Sequence, residues 1–595
     1  MPFDGLVLAA IKDELEQIIT GGRIEKIYQP AREEINIIIH QRQGRYRLLL
    51  SASSGLARIH ITGWSKTNPA NPPIFCMVLR KHLEGGRITS VSQHALERVL
   101  EITVDARDEL GRMAPKRLIC EIMGRHSNIL LLDSQDIIID GIRRYTHAVS
   151  RHREVLPGRP YIAPPPQEKK NPLKLNEEEF YQVMLSRPLN KKVADIVQKD
   201  FEGLSPLMAG EIIYRSGMSP DTPLELCGEY ELRGIWLNLK DIMENVQAKR
   251  FRPSLVLDGK NNPVEFAAFE LTRFTGYKMI HGEMNQLVDE YFHRRQVEET
   301  VEREKQSLLS VVRKEMSRLE KKLSLQLESI SDAQGRERHR IAGDLITANI
   351  YRLKKGDRDV QLENYYEPDC PAVNITLDPR LTPSENAQQN YKKYNKAKNT
   401  LEAARRQAGM SENELSYLSG VENTINMAET PEETGQIRQE LAGQGYIKIY
   451  AQPGAKKSKE REIPRPLAFV STSGATILVG KNNRQNDYLT IKLARDDDTW
   501  LHTKDIPGSH VIIKSSGKEP DQNTLTEAAS LAAYFSKARK SGRVPVDYTL
   551  RKYVSKPSGA KPGYVIYTNQ KTLFVDPGEE LVERLAGEPG GQQQG

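Results

Sequence analysis

The sequence predicts a multidomain α+β protein. Three patterns carry that prediction: alternating apolar residues from Gly22 to about Ile142, apolar spacings of three and four from about 287 to 430, and strand–helix–strand patterning from about Leu467. At 595 residues the chain is too long for one hydrophobic core, so each segment is read separately.

In the first segment Ile35, Ile37 and Ile39 alternate, Gly44 stands at a turn, and Tyr46, Leu48 and Leu50 alternate again. This is a hairpin signature. Leu100, Ile102 and Val104 repeat it, and stretches 117–122, 128–132 and 137–142 follow between polar or Gly-containing turns. A meander-rich sheet is expected. GRPYIAPPP, ending at Pro166, continues neither a helix nor a central strand and closes this mixed α/β domain, 1–170.

From 171 to 285 the spacing turns helical. Val193, Ile196, Val197 and Phe201 share a face, and Ile212 and Ile213 follow the turn Gly203-Leu204-Ser205-Pro206, with Ser205 as N-cap and Pro206 in the first turn. The outline is that of a helix-hairpin-helix, whose hairpin N–H groups hold a phosphate. A second hairpin glycine is missing, so a plain helical hairpin fits equally.

From 286 to 435 Leu309, Val312, Met316, Leu319, Leu323, Gln326 and Ile330 form a heptad seam, and Ala387, Tyr391, Tyr394 and Leu401 form a second. Pro368, Pro371, Pro379 and Pro383 oppose one continuous zipper helix, so a long antiparallel coiled-coil arm is expected. A basic linker, 436–466, contains AKKSKEREIPRP. In the C-terminal α+β domain, 467–580, a helix with Leu525, Ala528, Ala532 and Phe535 lies between strands. Residues 581–595 read as a disordered tail.

The 86 Lys and Arg exceed the 79 Asp and Glu by a formal +7, an excess that matters where the basic residues cluster. No apolar run approaches the ~18 residues of a membrane span. Cys76, Cys120, Cys227 and Cys370 are too scattered for a zinc pattern or a disulfide framework, which fits a reducing cytoplasm. Asp4 precedes the N-terminal apolar stretch, unlike the basic n-region of a secretory signal.

CEIMGRHSNILLLD sets Gly124, Arg125, His126, Ser127 and Asn128 at the junction of two strands. Such a turn can offer N–H, guanidinium and amide donors to a phosphate or a base edge, and an ordinary solvated turn has the same residue types. IRRYTHAVSRHREVLPGR interleaves Arg143, Arg144, Arg151, Arg153 and Arg159 with Tyr145, His147 and His152, which suits a nucleic-acid surface or a plain basic loop. In the C-terminal domain Trp500, His502, Lys504 and His510 surround a Pro-Gly turn. Lys556 and Lys561 lie in a Gly/Pro loop that lacks the GxxxxGK[ST] of a nucleotide-binding loop. His502 and His510 have no standard zinc spacing, and no catalytic triad, HExxH or GxGxxG is present. No catalytic residue, metal or cofactor is expected.

Together these segments resemble the NFACT-domain ribosome quality control family, the bacterial RqcH and eukaryotic NEMF group, historically described as fibronectin-binding proteins. The resemblance is carried by FDG at 3–5, FCMVLRKHLEGG at 75–86, EIMGRHSN at 121–128, LSPLMAGEI at 204–212, DLITANIYRLKKG at 344–356, SENAQQNYKKYNKAK at 384–398, WLHTKDIPGSHVII at 500–513 and VDYTLRKYVSKPSGAKPGYV at 546–565. It implies an NFACT-N domain, a helix-hairpin-helix domain, a coiled-coil arm and an RNA-binding NFACT-R domain. It also implies a cytoplasmic, non-enzymatic factor, monomeric on the ribosome, that binds large subunits carrying peptidyl-tRNA and recruits alanyl-tRNA for template-free alanine tailing of the nascent chain. Peptide-bond chemistry would then be the ribosome's. The family's tRNA-reading Asp-Arg pair falls on Glu97 and Arg98, with Glu97 a departure, and its EIM segment on Glu121, Ile122 and Met123. Arg125, His126 and Asn128 adjoin these, and Arg143, Arg144, Trp500, His502, Lys504, His510, Lys556 and Lys561 are candidates for further RNA contact.

Two other readings use the same motifs. A glycosylase of the formamidopyrimidine-DNA type would use Pro2 as an N-terminal amine nucleophile, but Phe3 stands where its acid belongs and its zinc finger is absent. A fibronectin-binding surface adhesin would need an export signal or anchor.

Overall fold

The computed structural model describes residues 3–107, 111–147, 152–165, 167–259, 261–448, 464–515 and 518–586. The chain divides into two compact units, Met1–Val297 and Glu298–Gly595. Pro2, Arg151, residues 449–463 of the expected linker and the end of the tail lie outside the described residues.

The first unit opens with helix α1 (Gly5–Ile19), capped by Asp4, whose carboxylate accepts from Leu6 N and Val7 N at 3.1 and 3.0 Å. Strands β1 (Arg23–Ala31), β2 (Glu34–Gln41), β3 (Gly44–Ser51) and β4 (Arg58–Ile61) precede α2 (Ile74–Leu83). Then come β5 (Arg87–Gln93), β6 (Val99–Arg107), β7 (Met113–Glu121), β8 (Asn128–Leu132) and β9 (Ile138–Gly141). All nine pair antiparallel in the order β4-β3-β2-β1-β5-β6-β7-β8-β9. The alternation read from sequence sets the register: Ile35 faces Leu50, Ile37 faces Leu48 and Ile39 faces Tyr46. Those isoleucines and leucines are buried in one core with Leu8, Ile11 and Leu15 of α1 and Phe75, Leu79 and Leu83 of α2.

Helices α3 (Glu177–Leu185), α4 (Val193–Asp200), α5 (Pro206–Arg215) and α6 (Glu229–Gln247) follow, with Phe180, Phe201 and Trp236 stacked between them. Ser205 caps α5 through Met208 N, and Pro206 sits in its first turn. The helical expectation fails after α6. Residues 254–281 form a three-stranded sheet, with β10 (Ser254–Leu257) between β11 (Pro263–Ala267) and β12 (Lys278–His281). All four residues of β10 are buried, so the strand has no alternation to distinguish it from a helical stretch.

Helix α7 (Met284–Gln334) begins in this unit. Glu14 accepts from Met284 N, Asn285 N and Asn285 Nδ2 at 2.5, 2.9 and 2.7 Å, capping it from another helix. Asp289 one turn on accepts from Thr62 Oγ1 and Gly63 N. The start of the long helix is thereby fixed to the edge of the nine-stranded sheet.

In the second unit α8 (Glu337–Ala348) and a hairpin of β13 (Asp359–Glu363) and β14 (Ala372–Thr376) precede α9 (Pro383–Met427), which opens with a Thr382 capping box. α9 runs antiparallel to α7: Gln326 meets Ser411, and Arg313 pairs with Glu422 at 2.7 Å. Leu309, Val312 and Leu319 of the first seam are buried against Leu418, Val421 and Ile425. α10 (Pro431–Gly443) occupies part of the stretch read as linker.

The C-terminal domain contains β15 (Leu467–Val470), β16 (Thr476–Val479), α11 (Asn483–Tyr488), β17 (Thr499–Thr503), β18 (Val511–Ile513), α12 (Gln522–Tyr534), β19 (Val544–Leu550), β20 (Val554–Ser555), β21 (Ile566–Tyr567) and β22 (Lys571–Val575). Six of the strands form a sheet in the order β15-β16-β18-β17-β19-β22, covered by α12 through Leu525, Ala528 and Ala532. α13 (Glu579–Ala586) extends into the expected tail because Leu581, Val582 and Leu585 pack on this core.

One crossing in the first unit positions everything below. Gly5 N donates to Gly203 O at 3.0 Å, and the 94–97 turn lies against both glycines. A Cβ on Gly5 would stand 2.0 Å from Leu96 O, and one on Gly203, where φ is +80°, 2.5 Å from Leu96 Cβ. Gly5→Ala is therefore expected to destabilise the first unit by about 1–3 kcal/mol, read as an earlier denaturant midpoint.

Candidate nucleic-acid interface

The crossing forms one wall of a cleft of about 490 Å³ lined by Asp4, Glu97, Arg98, Met123, Lys169, Glu202 and Ser205, among others. Four of the sequence motifs thus converge: the FDG start, the Glu97-Arg98 pair, the EIM segment and the Gly203-Pro206 turn. Glu97 and Arg98 end the turn between β5 and β6. Gln93 Nε2 donates to Glu97 O and Gly5 O at 2.8 and 3.1 Å, and Ile122 N donates to Arg98 O at 2.8 Å.

Arg98 is half-buried, and among the described residues its guanidinium has no hydrogen-bond or ion-pair partner. Burial pushes its pKa down and Asp4 pulls it partly back. Asp4, 4% exposed, also accepts from Ser205 Oγ and N at 2.6 and 3.2 Å, yet burial holds its pKa above the usual carboxylate range. Glu202 accepts from Leu96 N at 3.2 Å, and its pKa is raised by burial and by neighbouring Glu97. Sequence reasoning passed over Glu202 and Lys169 because neither belongs to a recognisable motif.

The EIM segment divides between interior and cleft. Met123 lines the cleft. Ile122 and Glu121 are both 0% exposed and present nothing to a partner, which differs from the tRNA-reading role that the family resemblance implied for them. Glu121 instead accepts both arms of Arg153, at 2.7 and 2.5 Å, and Tyr161 OH at 3.0 Å. Arg153 also donates to Ile162 O at 2.7 Å. This buried bidentate pair ties down the Pro-rich strap whose continuation lines the cleft through Pro164, Pro165, Gln167, Glu168 and Lys169.

Asn128 is buried too, exchanging hydrogen bonds with the Arg143 backbone at 3.0 Å in each direction. Arg125 and His126 are exposed on the 3-10 turn Gly124–His126, and Arg125 Nε donates to His126 Nε2 at 2.9 Å. Arg143 pairs with Glu33 and Arg144 with Asp140, so neither guanidinium is free.

The C-terminal candidates separate more sharply. Trp500 and His510 are 0% and 2% exposed, with Tyr567 against the indole and His510 Nδ1 2.7 Å from Thr490 Oγ1. His502 stands across the sheet from Asp547. Lys556 pairs with Asp487 at 2.5 Å, and Lys561 lies over the rings of Tyr417 and Tyr446 beside Glu414. Both loop lysines, read as phosphate contacts, are engaged within the unit because their partners come from distant parts of the chain. Lys504 is exposed. Sequence reasoning missed Tyr553, Tyr564 and Phe574, rings 37–63% exposed, with Lys552 over Tyr553 and Arg543 over Phe574. The strand alternation of KTLFV, which turns Phe574 outward, was the signal available.

Removing Glu121 leaves a buried guanidinium uncompensated, so Glu121→Ala should cost about 3–5 kcal/mol and expose 156–165 to limited proteolysis. His510 is a base whose folded pKa burial lowers well below its ordinary value. The unfolded chain therefore binds the extra proton, and stability present at neutral pH is lost as pH falls below ~6.5, by at most about 1.4 kcal/mol per unit. Hydrogen exchange of β17 and β18, corrected for intrinsic rates, should show weaker protection at pH 5 than at pH 7.

Two family models match the chain. The NFACT N-terminal and middle domains match residues 4–460, and the NFACT protein RNA binding domain matches 465–569. The chain is 39% identical over 589 residues to the Rqc2 homolog RqcH of Bacillus subtilis (strain 168), covering 98% of this chain and 100% of that protein. It is 35% identical over 596 residues to the Rqc2 homolog RqcH of Streptococcus suis (strain 05ZYH33), with the same coverage. A solved structure, the N-terminal part of the fibronectin/fibrinogen-binding protein from Streptococcus suis, matches 49% of this chain and 99% of its own at 32% identity and a TM-score of 0.41. With family models over nearly its whole length and relatives matched end to end, the chain belongs to the NFACT-domain family, in its RqcH/NEMF group.

Proposed function

We propose that this protein is a ribosome quality control factor that binds stalled large subunits carrying peptidyl-tRNA and recruits alanyl-tRNA for template-free C-terminal alanine tailing of the nascent chain. The observation that carries the reading is the unpaired, half-buried Arg98 guanidinium in a cleft where four family motifs meet. A planar guanidinium without a protein partner suits a phosphate or a base edge, and Glu97 beside it can accept from an exocyclic amine. Relatives named as Rqc2 homologs and ribosome quality control subunits, together with the RNA binding domain, support the same assignment.

The parts divide the work. The α4–α5 hairpin acts as a helix-hairpin-helix whose Gly203 turn borders the cleft. The antiparallel α7–α9 pair acts as the coiled-coil arm that reaches the large subunit, and the C-terminal domain adds an RNA contact through Lys504 and the exposed rings around Phe574. Peptide-bond formation stays with the ribosome, which requires no nucleophile or cofactor here. The protein acts in the cytoplasm as a monomer on the subunit.

The test is Arg98→Ala. Losing one charge-assisted contact should weaken tRNA binding by about 1.5–3 kcal/mol, on the order of ten- to hundredfold, with melting temperature and large-subunit co-sedimentation near wild type. Alanine tails on stalled chains should disappear in cells carrying the variant. Wild-type tRNA occupancy together with normal tailing would rule the site out.

A further inference from the structure

The cleft contains a second cation that no motif announces. Lys169 lines it, half-buried, and donates to Gln198 O at 3.0 Å. Among the described residues two of its three N–H protons have no acceptor and it has no ion pair.

Its placement is built. Glu168 just before it has φ +53°, a left-handed backbone that a non-glycine residue adopts at a cost and that persists where the surroundings impose it. Lys170 just after it is bridged to the α4–α5 hairpin: Lys170 N donates to Asp200 O at 2.8 Å, and Glu202 N to Lys170 O at 3.0 Å. Strain on one side and two backbone hydrogen bonds on the other hold Lys169 at the cleft.

Among the described residues no carboxylate around the cleft forms an ion pair with either cation. Asp4 is occupied by four donors, Asp200 pairs with Arg187, and Glu202 takes Leu96 N. Glu97 and Glu168 line the cleft without pairing with either cation. Burial lowers the Lys169 pKa, repulsion from nearby Arg98 lowers it further, and Asp200 and Glu202 pull it partly back. Like charges confined in a half-buried cleft cost energy that an anion placed between them would recover. Ser205 and Pro206 add the positive end of α5 to the same space.

We propose that Lys169 and Arg98 form a two-cation clamp for one backbone phosphate of the RNA that enters the cleft. This rests on the tRNA reading given above and goes beyond it by assigning a binding residue on the strap. The guanidinium supplies a planar fork and the ammonium a point charge, so one phosphate can be held from two sides. Glu97 and Glu202 repel a second phosphate, which limits the cleft to one nucleotide and leaves the carboxylates to accept from its base. Because the strap is tied down by Arg153 on Glu121, the clamp also gives the buried glutamate of the EIM segment a reason to act on RNA without touching it.

The test uses the full-length protein and labelled tRNA, with binding measured across a salt series for wild type, Arg98→Ala, Lys169→Met, Lys169→Gln and Lys169→Arg, and a melting curve for each. Both neutral Lys169 variants should bind on the order of tenfold more weakly and lower the slope of log K against log salt by about 0.7–0.9. Lys169→Arg should keep the wild-type slope. If Arg98→Ala loses tRNA while both neutral Lys169 variants that melt normally keep wild-type affinity and slope, the clamp is overturned and the tRNA site stands. If Arg98→Ala also binds as wild type, the site reading falls and the clamp with it.

Discussion

Asp4 is a buried carboxylate that serves two helix starts at once. It caps α1 through Leu6 N and Val7 N, and the same carboxylate takes Ser205 N and Oγ at the N-cap of α5. Four donors offset much of the desolvation that burial imposes, although the carboxyl pKa stays raised. The consequence is topological. The first helix of the sheet domain and the second helix of the hairpin start from one point, with Gly5 and Gly203 in backbone contact beside it. That point borders the cleft, so the functional geometry of the first unit is set where its two layers are joined. Asp4 also stabilises Arg98 at a distance, which keeps an unpaired guanidinium tolerable in a half-buried site.

The second constraint is the Glu121–Arg153 pair. A sequence motif does not separate residues that touch a ligand from residues that shape the surface around it, and Glu121 is of the second kind. Its two oxygens are taken by Arg153 and Tyr161, both on the strap, and the strap carries Lys169 to the cleft. Removing either member of a buried pair strands the other charge, so such a pair is more effective at fixing one conformation than at adding net stability. For a loop rich in proline and poor in apolar residues, that is the contribution needed.

Most of the nine-stranded sheet was legible because its strands alternate and its turns carry glycine or polar residues. Ile35, Ile37 and Ile39 found their partners in the register the pattern implied. The antiparallel run of α7 and α9 was legible from spacing and from the prolines between them. What escaped was short or nonlocal. β10 is four buried residues with no period, and α13 depends on Leu581 and Leu585 meeting a core assembled from other segments. Of the residues that line the cleft, Arg98 and Met123 stand in sequence motifs. Lys169 does not, because its meaning comes from a backbone bridge between Lys170 and the α4–α5 hairpin that no local pattern encodes.

The same reasoning explains why basic loops mislead. Lys556 and Lys561 sit in a Gly/Pro loop that looks made for phosphate, yet Asp487, Glu414 and the rings of Tyr417 and Tyr446 occupy them. Lys556 closes its loop onto α11 of the same domain, and Lys561 fastens the domain to α9 and to Tyr446 just after α10, beside further polar contacts from Lys481 to Glu433 and from Asn483 to Glu440. A lysine is available to RNA in proportion to the carboxylates that are absent around it, and that is a property of the fold. By this criterion the candidates for RNA contact in this domain are the exposed Lys504 and the exposed rings of Tyr553 and Phe574, each ring beside a cation. Stacking on such rings is tolerant of base identity. Under the proposed function it suits a domain that holds RNA of any sequence and leaves the choice of base to the cleft of the first unit, where Arg98 has no partner among the described residues.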